Sequence, residues 1–193
     1  MKLLSTLYTL STLDHMAPLC GLLDIPIAAF EKTHIEKFKR FYPNVSIFYK
    51  NPEDFLELID EYDIHLNTNL GIVSLHKECV SLLKKNNLLV YFPHGNSDKG
   101  YLSPVMNNLE HFDYVLYYND HIVERLKKQK FFFESSSFIR TGNFRLLYYL
   151  ENKNFYKKVE NTLSWSNDPR KKILYCPTWN DSEQSSSLFD FSF

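Results

Sequence analysis

"NLLVYFPHG", residues Asn87 to Gly95, decides the fold class of this chain. The segment is apolar from Leu88 to Phe92, until Pro93 ends the run. A strand that is apolar on both faces is typical of the interior of a parallel sheet, because helices cover both faces of such a sheet. The stretch therefore predicts a buried, central parallel strand over Leu88–Phe92.

Short apolar segments alternate with helical patterns on both sides of this strand, which is typical of repeated βαβ units. The predicted strands before it cover Lys2–Leu10, Ile25–Phe30, Val45–Lys50 and Asp63–Asn69, and those after it cover Asp113–Asn119, Ser137–Asn143 and Lys172–Trp179. We therefore predict an α/β fold, with a parallel Rossmann-like sheet flanked by helices.

Amphipathic patterns predict the helices between these strands. The predicted helices cover His15–Leu23, Glu31–Phe41, Asn51–Tyr62, Ser74–Asn86, Asp120–Lys130 and Arg145–Trp165. Asn51 and Ser74 are residue types that cap helix N-termini, and Pro52 suits a first helical position. The polar break Ser166–Lys172 predicts a linker. We expect a first domain over residues 1–165, then a linker and the first strand of a second domain over residues 166–193.

The composition limits the class of protein. The chain has 193 residues, of which 44% are hydrophobic and 16% aromatic, so it should fold around a packed core. Its formal net charge of -1 argues against a nucleic-acid binder. Cys20, Cys79 and Cys176 form neither a metal pattern nor a disulfide framework, which favours a reducing compartment. No segment approaches the roughly 18 apolar residues of a membrane span.

These properties lead us to expect a cytoplasmic protein. The basic segment Glu124–Lys130 is most simply a solvated helix face. Peripheral contact with anionic lipid at the inner face of the membrane is the alternative.

Four polar clusters follow predicted strands. They are Asp14-His15, Pro93–Gly100, Thr141–Arg145 and Pro177–Asp181. In parallel α/β sheets, ligands bind at the carboxyl ends of the strands. Because all four clusters fall at that edge, the sequence predicts a ligand site there.

The segment Pro93–Gly100 combines the residue types of an anion site. Gly95 and Gly100 let the backbone turn, and free N–H groups in such a turn can hold an anion beside the positive charge of Lys99. His94 can exchange a proton near neutral pH. The structural alternative is a turn between a strand and a helix in which His94 caps the backbone.

The other clusters also fit structural roles. Thr141–Arg145 brings a glycine and an arginine to a strand end, which suits a phosphate, but Thr-Gly-Asn is also common turn chemistry. Thr178 fits a structural position. For Asp14-His15, a helix N-cap at Asp14 is the alternative to a site that contains His15.

The remaining histidines show no pattern of a site. His34, His76 and His121 lie on predicted helices among charged neighbours, where we expect solvated side chains. His65 lies within a predicted strand, where we expect a satisfied, half-buried side chain. No histidine has metal-ligand spacing with cysteines or carboxylates, so we expect no metal and no other cofactor.

Three segments in this order resemble the CDP-glycerol glycerophosphotransferases, the teichoic acid polymerase family. They are Pro93–Gly100, Ile139–Leu150 and Lys172–Asp181. In that family a His-Gly pair is followed by a TGxPR-like strand end and then by a YAPT-like strand. The matching residues are His94, Gly95, Lys99, Gly142, Arg145, Tyr175, Pro177 and Thr178. The sequence departs from the family pattern at Asn96–Asp98, at Phe144 and at Asn180-Asp181.

A second resemblance lies in the first cluster. His15 and Pro18 resemble the His-x-x-Pro opening of several sugar-nucleotide glycosyltransferases.

The family resemblance implies the GT-B fold of two Rossmann-like domains, of which this chain carries the first. It implies transfer of glycerol phosphate from a nucleotide-activated donor to a hydroxyl acceptor in cell-envelope polymer or glycolipid synthesis. His94 would be the general base, with His15 as the second candidate. The candidate residues for binding phosphate or substrate are Gly95, Ser97, Lys99, Gly142, Asn143, Arg145 and Thr178.

Two alternatives stay open. A GT-B sugar transferase or a UDP-sugar 2-epimerase has the same architecture, so the donor is either CDP-glycerol or a nucleotide sugar. A non-enzymatic remnant or partner-binding half would keep the motifs by ancestry. Because the chain stops just after it enters the second domain, we expect a truncated or split form. We expect such a form to bind nucleotide donors weakly or not at all, because the donor domain is missing. A second domain would come from another chain or not at all, and the sequence leaves open whether the short chain is active.

Overall fold

The computed structural model of the protein describes residues 1–9, 12–93, 104–128, 137–162 and 169–170. The chain divides into two compact units, Met1–Lys153 and Asn154–Phe193. Most of the predicted linker and all of the predicted strand Lys172–Trp179 lie outside the described residues. The predicted domain boundary after residue 165 therefore stays a prediction.

A seven-stranded sheet lies in the first unit. Its strands are β1 (Leu3–Leu7), β2 (Ile27–Ala29), β3 (Ile47–Tyr49), β4 (Ile64–Asn67), β5 (Leu88–Tyr91), β6 (Tyr114–Tyr117) and β7 (Ser137–Arg140). They lie in the order β3-β2-β1-β4-β5-β6-β7, and every neighbouring pair is parallel. The predicted fold class, a parallel Rossmann-like α/β sheet, is confirmed.

Helices connect most of the successive strands. They are α1 (Leu13–Leu22), α2 (Lys32–Phe41), α3 (Phe55–Glu61), α4 (Val73–Leu83) and α5 (Asp120–Lys128), and α6 (Phe144–Glu151) follows the last strand. Among the described residues, 3₁₀ segments cover Pro52–Asp54, Leu70–Ile72 and Pro104–His111, and α7 covers Lys153–Asn161. Within the described ranges, no helix combines the length and apolar character needed to cross a membrane.

The strand β5 lies inside the sheet between β4 and β6, as predicted. Leu89 is 2% exposed, and Phe92, just beyond the strand, is fully buried. Leu89 packs in one hydrophobic cluster with Leu4 of β1, Leu58 of α3 and Leu126 of α5. A fully buried side chain of this kind contributes about 1.5–3 kcal/mol by leaving water. One hydrophobic core therefore contains side chains from elements early and late in the chain.

One predicted helix cap is wrong. Ser74 lies inside α4, and Asn69 instead caps the preceding 3₁₀ turn, where its Oδ1 accepts a hydrogen bond from the Gly71 N–H at 2.9 Å. Asn51 does occupy an N-cap position, with Pro52 after it as predicted, but it caps a 3₁₀ turn that leads into α3 and its side chain makes no capping hydrogen bond.

The predicted single helix Arg145–Trp165 is also wrong, because the chain interrupts it at Asn152. The backbone N–H of Asn152 donates to the Tyr148 carbonyl at 3.0 Å, and its side-chain amide donates to the same carbonyl at 2.9 Å. An asparagine side chain that competes for backbone acceptors favours a helix end. It separates α6 from α7.

Histidines that we expected to be solvated are buried. His34 is 5% exposed, and its Nε2 lies 3.1 Å from a carboxylate oxygen of Glu31. His76 is 4% exposed, because its position in α4 places it on the same face as Val73 and Cys79. The burial of both histidines follows from their positions on the helices, and the charged neighbours in the sequence did not predict it.

His65 and His76 form a buried pair. Their rings lie 5.6 Å apart, and each Nε2 is buried without a hydrogen-bond partner among the described residues. The expectation that His65 is satisfied is therefore wrong. Burial, with His76 nearby, lowers the pKa of His65 to about 3, and burial lowers the pKa of His76 to about 4 although Asp113 opposes the shift. Both rings are neutral at physiological pH.

We predict that the free energy of unfolding falls as the pH drops below about 6.5, the ordinary pKa of histidine. Both folded-state pKa values lie below that value, so the unfolded state binds more protons. The stability present above about 6.5 is lost as the pH falls toward the folded-state values. Each histidine should cost about 2 kcal/mol at about pH 5. Urea unfolding at about pH 7 and about pH 5 measures this loss.

Two variants test the assignment. His76→Phe should remove about half of the pH-dependent loss, because it deletes one of the two buried groups. His121→Gln, at an exposed position of α5, is the control and should leave the loss unchanged. An identical pH dependence in His76→Phe and in the unaltered protein would contradict the assignment.

Candidate functional site

The reversal of strand order beside β1 locates the site. The chain places β2 and β3 on one side of β1 and then returns to place β4 on the other side. The connections that leave β1 and β4 therefore diverge, which opens a crevice at the carboxyl ends of these two strands.

A cleft of about 260 Å³, which we call the switch-point cleft, lies at these strand ends. Those of its lining residues that the structure describes come from the end of β1, the start of α1 and the segment after β4. They are Thr6, Tyr8, Thr9, Thr12, Thr68 and Asn69. All six side chains carry a hydroxyl or an amide group. The cleft therefore offers many neutral hydrogen-bonding groups in a small volume.

Asn67, the last residue of β4, joins the two sides of this cleft. Its Nδ2 donates to Thr6 Oγ1 at 2.5 Å, and its Oδ1 accepts from the Asn69 N–H at 2.7 Å. Asn67 is 2% exposed, so both hydrogen bonds form away from water, where they are electrostatically stronger. They hold the segment 67–69 against β1.

Two hydroxyl groups at the cleft lack partners. Thr68 is 5% exposed, and its hydroxyl makes no hydrogen bond with any residue that the structure describes. The Tyr8 hydroxyl is fully buried and likewise has no partner within the described ranges. Burial raises the pKa of Tyr8, and the nearby Thr6 hydroxyl opposes the shift without reaching hydrogen-bond geometry. Tyr8 stays protonated, so the six lining residues carry no formal charge at neutral pH.

Two predicted site residues, 130 positions apart in the sequence, meet near this cleft. Arg145 Nη1 lies 3.5 Å from His15 Nδ1. Because arginine has only donors, a hydrogen bond in this contact requires His15 Nδ1 to be the acceptor. His15 lies in the first turn of α1, three residues beyond Thr12, and Arg145 lies in the first turn of α6. The contact pairs a permanent cation with an imidazole.

Packing of α6 on α1 makes this contact. Tyr148 of α6 is 4% exposed, and its Cε2 would lie only 2.5 Å from a Cβ added at Gly21 of α1. Glycine is therefore needed for Tyr148 to approach the helix so closely. The Tyr148 ring also lies 5.9 Å from the ring of Tyr42, whose hydroxyl donates to Asp14 at 2.7 Å.

The capping role considered for Asp14 is wrong. Thr12 occupies the N-cap of α1, while Asp14 lies in the first turn and accepts the Tyr42 hydroxyl. Pro18 lies inside α1. His15 and Pro18 therefore share a helix and do not belong to a loop.

Gly142 and Asn143 determine the conformation of the turn before α6. Gly142 has φ of +66°, in the left-handed region that favours glycine. Asn143 occupies the N-cap of α6, where its side-chain oxygen accepts a hydrogen bond from the Leu146 N–H at 3.1 Å. Both residues shape the turn that places Arg145. A binding role for Gly142 or Asn143 stays a prediction.

The remaining candidate residues are His94, Gly95, Ser97, Lys99 and Thr178, which lie outside the described residues. Their roles stay predictions. Among the residues that the structure does describe, no group of three or more His, Cys, Asp or Glu side chains could hold a metal ion.

The residues that line the cleft were not predicted from the sequence. Thr68 and Asn69 belong to the stretch Asn-Thr-Asn that directly follows an apolar strand, and Thr6 interrupts the apolar β1. Polar residues in and just after buried strands are the sequence feature that could have predicted this lining. Only the neighbouring position of β1 and β4 brings them together.

Comparison with known proteins identifies the class of fold. No known protein-family profile matches this sequence, and no curated protein matches it significantly. Solved structures of HepE from Anabaena are among those that match the chain, and two of them serve as examples. The complex with UDP-glucose aligns with 15% identity and a TM-score of 0.50, over 74% of this chain and 44% of HepE. The complex with UDP and glucose aligns with 15% identity and a TM-score of 0.49, over the same shares.

An identity this low establishes the fold alone. The chain has a GT-B-like, Rossmann-like α/β fold, as HepE has, and it spans less than half of the HepE chain.

We predict that Gly21→Ala destabilises the protein by about 1–3 kcal/mol, the usual cost of overpacking. Alanine normally favours a helix over glycine, but here the added methyl group meets the Tyr148 ring and Val45. The free energy of unfolding from urea denaturation measures the effect. In a Tyr148→Leu background the shorter side chain leaves room, so the same substitution should cost less. Equal costs in the two backgrounds would show that Tyr148 does not require the glycine.

Proposed function

We propose that this chain belongs to a GT-B-type transferase that moves a sugar from a nucleotide-activated donor to a hydroxyl acceptor. The observation that carries the proposal is the contact between Arg145 and His15 near the switch-point cleft. The cleft offers a place for a hydroxylated ligand. Arg145 supplies a cation for a phosphate, and His15 supplies a group that exchanges a proton.

Arg145 is suited to the phosphate. Its side chain is exposed, and a guanidinium can bind two phosphate oxygens through parallel, charge-assisted hydrogen bonds. His15 is the nearby group that accepts a proton from an attacking hydroxyl group in this proposal. His94 is the other candidate base, on the strength of the family resemblance.

The donor class draws support from the structural neighbour. HepE, whose fold this chain shares, was solved with UDP-glucose. This supports a nucleotide sugar over CDP-glycerol as the donor. Because the chain spans 44% of HepE, the proposal includes a second domain, on the same or on another chain, that takes part in donor binding.

Transfer of glycerol phosphate is the second candidate. Gly142 and Arg145 follow β7 in the order of the glycerophosphotransferase motif, with Gly142 in the left-handed conformation and Arg145 exposed. The other residues that carry this resemblance lie outside the described residues.

We predict that Arg145→Met lowers kcat/KM for UDP-glucose roughly 10- to 150-fold, because hydrogen bonds to charged groups contribute about 1.5–3 kcal/mol. The measurement is transfer of labelled glucose to a neutral glycoside by the protein expressed from its full natural gene. Arg40→Met, on the exposed face of α2, is the matched control and should keep its activity. Both variants should keep their melting temperature, since both side chains are exposed.

The same assay separates the candidate functions. Preference for CDP-glycerol over UDP-glucose would favour glycerol phosphate transfer. Transfer from neither donor would contradict both proposals and would favour the non-enzymatic alternative.

A further inference from the structure

The turn between α2 and β3 contacts both α1 and α6. The Tyr42 hydroxyl donates to Asp14 Oδ1, in the first turn of α1, at 2.7 Å, and the Tyr42 ring lies 5.9 Å from the ring of Tyr148 in α6. The same turn reaches the other end of α6, where Asn44 Nδ2 donates to Asn152 Oδ1 at 3.4 Å. This turn therefore connects the two helices whose first turns carry the charged part of the site.

The position of Tyr42 is well defined. Its side chain is 8% exposed, and its ring lies 5.5 Å from the ring of Phe38. Its backbone N–H donates to the Phe38 carbonyl at 2.9 Å, and its carbonyl accepts from the Val45 N–H at 3.2 Å. A buried tyrosine hydroxyl usually needs a hydrogen-bond partner, and Asp14, whose side chain is exposed, supplies it. Tyr42 therefore determines where the Asp14 carboxylate lies.

The Asp14 carboxylate is a competitor for Arg145. Asp14 directly precedes His15 in α1, and His15 Nδ1 lies 3.5 Å from Arg145 Nη1. A carboxylate binds a guanidinium more strongly than a neutral imidazole does, because both partners of the hydrogen bond are then charged. In the described part of the chain, however, Asp14 and Arg145 form no ion pair with each other. The carboxylate accepts the Tyr42 hydroxyl instead.

We propose that Tyr42 is a positioning residue for the Arg145–His15 pair. Its hydroxyl holds the Asp14 carboxylate, which leaves the guanidinium of Arg145 to contact His15 and to bind a phosphate. Without the hydroxyl, Asp14 turns to Arg145 and neutralises its charge. The part of this inference that concerns the phosphate rests on the proposed function, whereas the placement of the side chains does not.

The nitrogen chemical shift of His15 Nδ1, measured by NMR, reports the contact without an assay of activity. It is measured at about pH 8, above the ordinary histidine pKa of about 6.5, in the protein expressed from its full natural gene. His15→Gln identifies the signal, and Arg145→Met gives its position when the contact is lost. We expect Tyr42→Phe to move the signal toward the Arg145→Met position. An unmoved signal in Tyr42→Phe would overturn the proposal.

A second substitution separates competition by Asp14 from a loss of packing. Tyr42→Phe keeps the ring against Tyr148, so the melting temperature should fall by only about 2–4 °C, the effect of one hydrogen bond. Adding Asp14→Asn should return the His15 signal to its original position, because a neutral amide competes poorly for a guanidinium. Tyr49→Phe, at an exposed position of β3, is the matched control and should leave the signal unchanged. A signal that stays displaced in the double variant would contradict the competition.

Transfer of glucose tests the role of Tyr42 in the proposed function. Tyr42→Phe should lower kcat/KM for UDP-glucose about two- to tenfold, the effect of one hydrogen bond. The change should lie mainly in KM, because an Arg145 side chain that is paired with Asp14 binds the phosphate of the donor less well. Asp14→Asn should restore kcat/KM in the Tyr42→Phe background.

Failure of this proposal can be told apart from failure of the proposed function. A His15 signal that is displaced in Tyr42→Phe and restored by Asp14→Asn, in a protein that transfers from no donor, would support the placement by Tyr42 and contradict the transferase. Transfer with the same kcat/KM in Tyr42→Phe and in the unaltered protein would leave the transferase intact and overturn the positioning role.

Discussion

Parallel pairing of β1 with both β2 and β4 is the constraint on which the rest of the structure depends. Parallel strands can be joined only by crossovers, so the chain must leave the carboxyl end of each strand and return over a face of the sheet. Because β1 has the first half of the strand order on one side and the second half on the other, its two neighbouring connections diverge. The switch-point cleft follows from this divergence, whatever side chains line it.

Polar side chains of β4 are buried beside the switch-point cleft, and they differ in whether they have hydrogen-bond partners. Asn67 and Thr6 bond to each other between the buried ends of two strands, and this closes the base of the cleft with satisfied polar groups. Two positions earlier in β4, His65 packs against His76 with nitrogens that lack partners within the described ranges. Such groups reduce stability, since a buried unsatisfied polar group costs about 1–3 kcal/mol.

The helix pair α1 and α6 places the charged part of the site. Tyr148 packs against Gly21 and Tyr42, while Gly142 and Asn143 shape the turn that starts α6. As a result Arg145 reaches His15 across 130 sequence positions. The arrangement separates two chemistries in space. The described residues of the cleft are neutral, and Arg145 lies near the starts of the two helices.

The sequence by itself determined the parallel α/β fold and the interior position of Leu88–Phe92. These properties are encoded locally, because apolar runs, helical periodicity and turn residues each act within about ten neighbouring residues. Only the tertiary structure decided that His76 is buried, that Arg145 meets His15, and that Thr68 shares a cleft with Thr6. Each of these depends on which elements become neighbours, and that is set by long-range packing. The same Asn-Thr-Asn stretch beside another strand would be an ordinary loop.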